Sequence, residues 1–123
     1  MCLGGVGELL KAVLHVDEPI KWQLTLSNTE NLIADVGLEN VTLEIIANAA
    51  AVKIFGSRES EAASVIEKMK VLSNHNVKII ACRNALRANA ISEDTLPSYI
   101  TVVPAGITRI IKKQSEGYSY VKP

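Results

Sequence analysis

Apolar positions along this chain switch repeatedly between two periods, and the switches mark out its elements. Lys11-Ala12-Val13-Leu14-His15-Val16 is a short, nearly continuous apolar run, the pattern of a strand covered on both faces. Asp17, Glu18 and Pro19 follow as a helix start, since a carboxylate can cap free N–H groups and proline fits a first turn. A helix is predicted from about Pro19 to Val36, with Trp22, Leu26, Ile33 and Val36 turned inward and Gly37 closing it. Val41 to Ala47 is β-branched and apolar over a strand's length, and Asn48 marks its carboxyl end.

Ala49 to Phe55 reads as a short helix. Ser60 to Ser73 reads as an amphipathic one, with Ala63, Ile66, Met69 and either Val71 or Leu72 inward, and Asn74-His75-Asn76 ends it. The third strand is Val77 to Ala81, the helix after Cys82 runs to about Ala90, and Ser92 with Glu93-Asp94 opens a short turn. Ile100 to Val103 is the fourth strand, Pro104-Ala105-Gly106 leads into a helix from Ile107 to Gln114, and Tyr118 to Val121 adds a last short strand. Strands alternating with helices place the chain in the α/β class: a mainly parallel sheet of about five strands with helices on both faces.

Composition narrows the picture. A chain of 123 residues, 48% of them hydrophobic, fits one domain with a continuous core. We expect residues 1–10 to be an extension and 11–123 the domain. Lys+Arg and Asp+Glu number 13 each and are interspersed, so no basic face is offered to a nucleic acid or an anionic membrane. The opening Met1-Cys2-Leu3-Gly4-Gly5-Val6-Gly7 lacks the basic start of a signal peptide and is too short in apolar residues to span a bilayer. Cys2 and Cys82 make no disulfide framework, and the expectation is a cytoplasmic protein with two reduced thiols.

Cys82 is the main chemical candidate. It joins a strand to a helix, and in a parallel sheet such junctions line the carboxyl edge, where helix N–H groups favour a thiolate. Arg83, and Arg87 one turn on, would add positive potential, and Asn84 with these side chains could hold an anion. The competing reading is a small buried cysteine that only packs. His15, beside Asp17 at the end of strand one, is either a proton shuttle on the same edge or a satisfied structural histidine, whereas His75 belongs in a solvated turn. Asn48 could bind a ligand or simply order its turn. Trp22 and Phe55 suit the core or a subunit interface, and the alternating Tyr118 and Tyr120 suit a strand with one face inward and one toward a neighbour.

Other chemistries lack their signatures. Two distant cysteines and two histidines on different elements provide no metal-ligand set. Gly4, Gly5 and Gly7 precede the first strand, so neither a P-loop nor a GxGxxG turn is present, and no CxxC pair exists. No cofactor is expected.

Four segments in order, His15-Val16-Asp17-Glu18-Pro19, Ala81-Cys82-Arg83-Asn84-Ala85-Leu86-Arg87, Val102-Val103-Pro104-Ala105-Gly106 and the closing Gln114 to Pro123, resemble the DsrE/DsrF-like family of small sulfur-relay proteins. The likeness spans about residues 11 to 123. It implies a three-layer α/β/α domain that forms homo-oligomers (trimer, hexamer or dimer) and carries sulfur as a cysteine persulfide between donor and acceptor proteins. Cys82 matches the family's cysteine. Asn48 falls where this branch places an asparagine followed by small residues, with Ala49 standing where a glycine is common. The leading expectation is a sulfurtransferase-like carrier on Cys82, with Arg83 and backbone N–H groups stabilising the persulfide anion. The alternative is a non-catalytic oligomeric module that binds a small ligand or a protein, with Cys82 structural.

Overall fold

The computed structural model describes residues 9–123; Cys2, the glycine-rich opening and most of the expected extension lie outside the described residues. Among the described residues five strands, β1 (Leu10–Val16), β2 (Val41–Ala47), β3 (Lys78–Cys82), β4 (Ile100–Val103) and β5 (Ser119–Val121), form one all-parallel sheet in the order β4-β3-β2-β1-β5. The chain steps one way across the sheet from β1 to β4 and then returns past β1 to β5. Right-handed crossovers place connections of opposite direction on opposite faces. Hence α1 (Trp22–Val36), the 3-10 segment Ala49–Gly56 and α2 (Ser60–Asn74) cover one face, and α4 (Gly106–Ser115) is the helix that packs on the other among the described residues.

The larger core lies on the first face. Leu14, Leu43, Ile45 and Ile79 from the sheet meet Trp22 and Leu26 from α1, Met69 and Leu72 from α2, and Phe55. Trp22 is fully buried, stands edge-on to Phe55 and donates its indole N–H to the Ala51 carbonyl at 2.9 Å, so its polar atom is satisfied inside the core. A smaller cluster of Val13, Ile46, Ile80 and Ile110 lies under α4.

Three local details depart from the sequence pattern. The inward stripe of α2 is Ala62, Val65, Met69 and Leu72, leaving Ala63 and Val71 exposed, because the helix is rotated by one residue from the predicted phase. The entry to α1 is a 3-10 turn, Pro19–Lys21, without a side-chain cap; the Asp17 carboxylate instead accepts from Lys122 Nζ at 3.0 Å, which lowers its pKa. The helix after Cys82, α3 (Arg83–Ala88), has six residues and stops short of Ala90, whose φ of 56° is left-handed.

Candidate functional site

Side chains alternate across a strand, so the last outward positions of three neighbouring strands share the α4 face: His15 on β1, Asn48 just past β2, and Cys82 ending β3. Ala47 pairs with Ala81, so Asn48 and Cys82 take the next position along their strands, while His15, opposite Ile46, stands two residues lower on the same face; the Asn48 N–H donates to the Val16 carbonyl at 3.1 Å. The first residue of α4, Gly106, closes over this row. A Cβ on Gly106 would lie 3.3 Å from the Cβ atoms of both Asn48 and Cys82 and 3.4 Å from Ile46 Cγ2. Glycine is what lets the first turn of α4 sit against the thiol.

His15 is held from both sides. Its Nε2 is 2.8 Å from Asn48 Oδ1 and its Nδ1 is 2.6 Å from the Tyr120 hydroxyl. A carboxamide oxygen only accepts, so Nε2 carries the proton and the hydroxyl donates to Nδ1. Tyr120 reaches the site from β5, which pairs beside β1. Thus the structure brings Cys82, Asn48 and His15 to one edge.

Arg83 and Asn84 do not join them. Arg83 donates through Nε and Nη2 to Glu93, at 2.7 and 3.2 Å, and this pairing raises the arginine pKa and lowers that of Glu93. Its charge is therefore engaged by a neighbouring carboxylate and not left for an anion at Cys82. Asn84 and Arg87 are exposed on α3, and His75 is exposed in its turn. Cys82 itself retains 6% of its surface and is the N-cap residue of α3. Among the described residues no cluster of His, Cys, Asp or Glu could hold a metal, and no helix is long and apolar enough to cross a membrane.

Ala49, directly after Asn48, has φ of 49°, a conformation that costs an L-residue and suits glycine. This accounts for the glycine that the family resemblance expects there. The same residue opens the 3-10 segment, and Asn89 donates Nδ2 to the Ala49 carbonyl at 3.3 Å and to that of Ala85 at 2.8 Å. The loop after Asn48 is thereby tied to α3.

Sequence reasoning passed over three contributors. In the sequence pattern Gly106 reads only as a lead into a helix, and Tyr120 only as a strand residue. Glu44, 2% exposed on central strand β2, accepts two hydrogen bonds from Arg109 at 2.9 and 2.8 Å and lies 3.1 Å from Lys113 Nζ. Burial raises its pKa, but the hydrogen bonds from Arg109 and Lys113 outweigh that and hold the carboxyl below its usual value. The two cations, one turn apart on α4, fasten the helix whose first residue covers Cys82. A charge inside an otherwise apolar strand was the available signal.

Fold and site together define an all-parallel α/β protein with a thiol at the carboxyl edge of its sheet. The model of the DsrE/DsrF-like family matches residues 24–123, and the chain belongs to that family. It is 34% identical to the protein of unknown function MTH1491 from Methanobacterium thermoautotrophicum, with a TM-score of 0.78 over 93% of this chain and 99% of that one. The YchN protein from E. coli superposes with a TM-score of 0.73 over 95% of this chain and all of its own, at 13% identity, a likeness of fold. No curated protein matches the chain.

Proposed function

We propose that the protein carries sulfur as a persulfide on Cys82. What supports this reading is the position of that thiol at the ligand-binding edge of a DsrE/DsrF-like sheet, beside the Asn48 carboxamide and the first turn of α4. In the loading step the Cys82 thiolate attacks the terminal sulfur of a donor persulfide, R–S–SH. A Cys82 Sγ–S bond forms as the donor S–S bond breaks; the donor leaves as its thiolate with the bonding pair, and the proton stays on the transferred sulfur. Delivery repeats the displacement: an acceptor thiolate attacks the outer sulfur and Cys82 leaves as thiolate. Neither step needs an added oxidant, and the sulfur added to Cys82 extends about 2 Å beyond the recessed Sγ.

The chemistry suits the cytoplasm, where thiols stay reduced. Assembly into a homo-oligomer is supported by Ile107 and Ile111, 58% and 60% exposed one turn apart on α4. Incubation with a small persulfide donor followed by peptide mapping tests the carrier reading: one added sulfur on the Cys82 peptide is expected, and none in Cys82→Ser.

A second reading, a binding module in which Cys82 is structural, draws on the 6% exposure of that residue and on the engagement of Arg83 by Glu93. It requires that Cys82 take up no sulfur while the fold and assembly stay intact.

A further inference from the structure

The geometry points to a positioning device built from Tyr120 and His15: they hold the Asn48 carboxamide so that its Nδ2 amino group is turned to the β3 side, where Cys82 lies. Asn48 is then the hydrogen-bond donor to the sulfur anion, and Tyr120, on the far edge strand, acts through it. This rests on the reading of Cys82 as the reacting thiol.

Three observations carry the inference. Asn48 follows β2, which lies between β1 and β3, so its amide stands between His15 and Cys82. With Oδ1 held by His15 Nε2 on the β1 side, Nδ2 lies on the opposite side of the planar amide, away from β1. The Cβ atoms of Asn48 and Cys82 both come within 3.3 Å of the point where Gly106 would place a Cβ, so the two side chains leave neighbouring positions. Among the described residues no acceptor, Cys82 Sγ included, hydrogen-bonds Asn48 Nδ2, and no buried side-chain nitrogen or oxygen lacks a partner, so this amino group is reached by solvent and is free to donate once the sulfur becomes an anion.

The hydroxyl of Tyr120 supports the direction. It can donate or accept, and with the Asn48 oxygen accepting from the Nε2 N–H it donates to Nδ1 and stabilises the imidazole tautomer with a proton on Nε2. That proton binds Oδ1 and disfavours the flipped amide, in which Nδ2 would face an N–H. A sulfur anion, as thiolate or as persulfide, gains a donor in the first arrangement and meets a carboxamide oxygen in the second.

Iodoacetamide alkylation of the full chain across pH, read on the Cys82 peptide, tests this without any bound sulfur. Asn48→Ala is expected to slow alkylation at neutral pH about ten-fold, the scale of one hydrogen bond to a charged group, and to move the profile to higher pH. Tyr120→Phe removes only a hydroxyl from a residue that is 40% exposed, and should slow it about three-fold. In an Asn48→Ala background Tyr120→Phe should add nothing, because it acts through that amide. Asn48→Asp keeps an acceptor for His15 but sets a carboxylate beside the sulfur, and should be slower than Asn48→Ala.

A Tyr120→Phe profile identical to wild type, or an equal slowing in both backgrounds, overturns the proposal. If the profiles shift as expected but Cys82 takes up no sulfane sulfur, the positioning device stands and the carrier reading falls. If wild type and variants all load sulfur with unchanged profiles, the carrier reading stands and the device falls.

Discussion

Replacing Glu44 with glutamine removes a buried negative charge while preserving its shape, and the structure sets the size of the effect. Glu44 is 2% exposed and accepts from Arg109 twice and from Lys113 once, whereas the glutamine amide would accept through one oxygen and turn an NH2 group toward the remaining donors. Breaking a buried ion pair costs about 3–5 kcal/mol. The side chains of Arg109 and Lys113 keep 27% and 13% of their surface, so both can recover part of their hydration, and about 2–4 kcal/mol remains. With a urea m-value of about 1.5 kcal/mol per M, the unfolding midpoint should fall by about 1.3–2.7 M at neutral pH and fixed protein concentration.

The pH dependence gives this prediction a second edge. The folded-state pKa of Glu44 lies below its ordinary 4.5, so its ionised form contributes fully above the unfolded value, and the contribution fades as pH falls through the folded one. The gap between wild type and Glu44→Gln should therefore narrow below about pH 4.5 and stay constant from about pH 6 to 8. A neutral-pH difference under about 0.5 kcal/mol, the size of an ordinary surface change, would refute the view that Glu44 anchors α4. So would a difference that persists unchanged in acid.

The walls of the site and its exposed helix can be tested in the same way. Gly106→Ala sets a methyl 3.3 Å from two Cβ atoms and should destabilise the protein by about 1–2 kcal/mol and slow Cys82 alkylation; unchanged melting would show that α4 does not wall the thiol. Ala49→Gly relieves a left-handed alanine, and thermal melting should show stability unchanged or raised by up to about 1 kcal/mol, since glycine gains in the unfolded chain part of what it saves in strain. Ile107→Asp combined with Ile111→Lys should reduce the mass measured by light scattering if α4 forms a subunit interface, and leave it unchanged if the interface lies elsewhere.

The parallel α/β layout was legible because each strand is an apolar run of the right length and each helix has a boundary residue such as Gly37 or Asn74. The edge of the sheet was legible too: Asn48 and Cys82 sit where an apolar run stops, and in a parallel sheet all such stops fall on one side. What escaped depends on pairings that no local pattern records. His15 and Tyr120 are 105 positions apart, as are Asp17 and Lys122, and both contacts exist only because β5 returns past the whole sheet to pair with β1. The phase of α2 was misread at Ala63 because alanine suits either face of a helix, so the larger Val65 and Leu72 decide it. Arg83 invited an anion-binding reading from its place next to the thiol, yet the carboxylate of Glu93, ten residues on, meets it first.

The central claim is that Cys82 accepts and gives up a single sulfur. A single-turnover experiment tests it most directly: load the protein from a small persulfide, remove the donor, add an acceptor thiol, and follow the intact mass and the Cys82 peptide. The expected result is a gain of one sulfur atom on Cys82, its appearance on the acceptor, and return of the protein to its starting mass. Absence of the gain, or a gain that survives in Cys82→Ser, would contradict it.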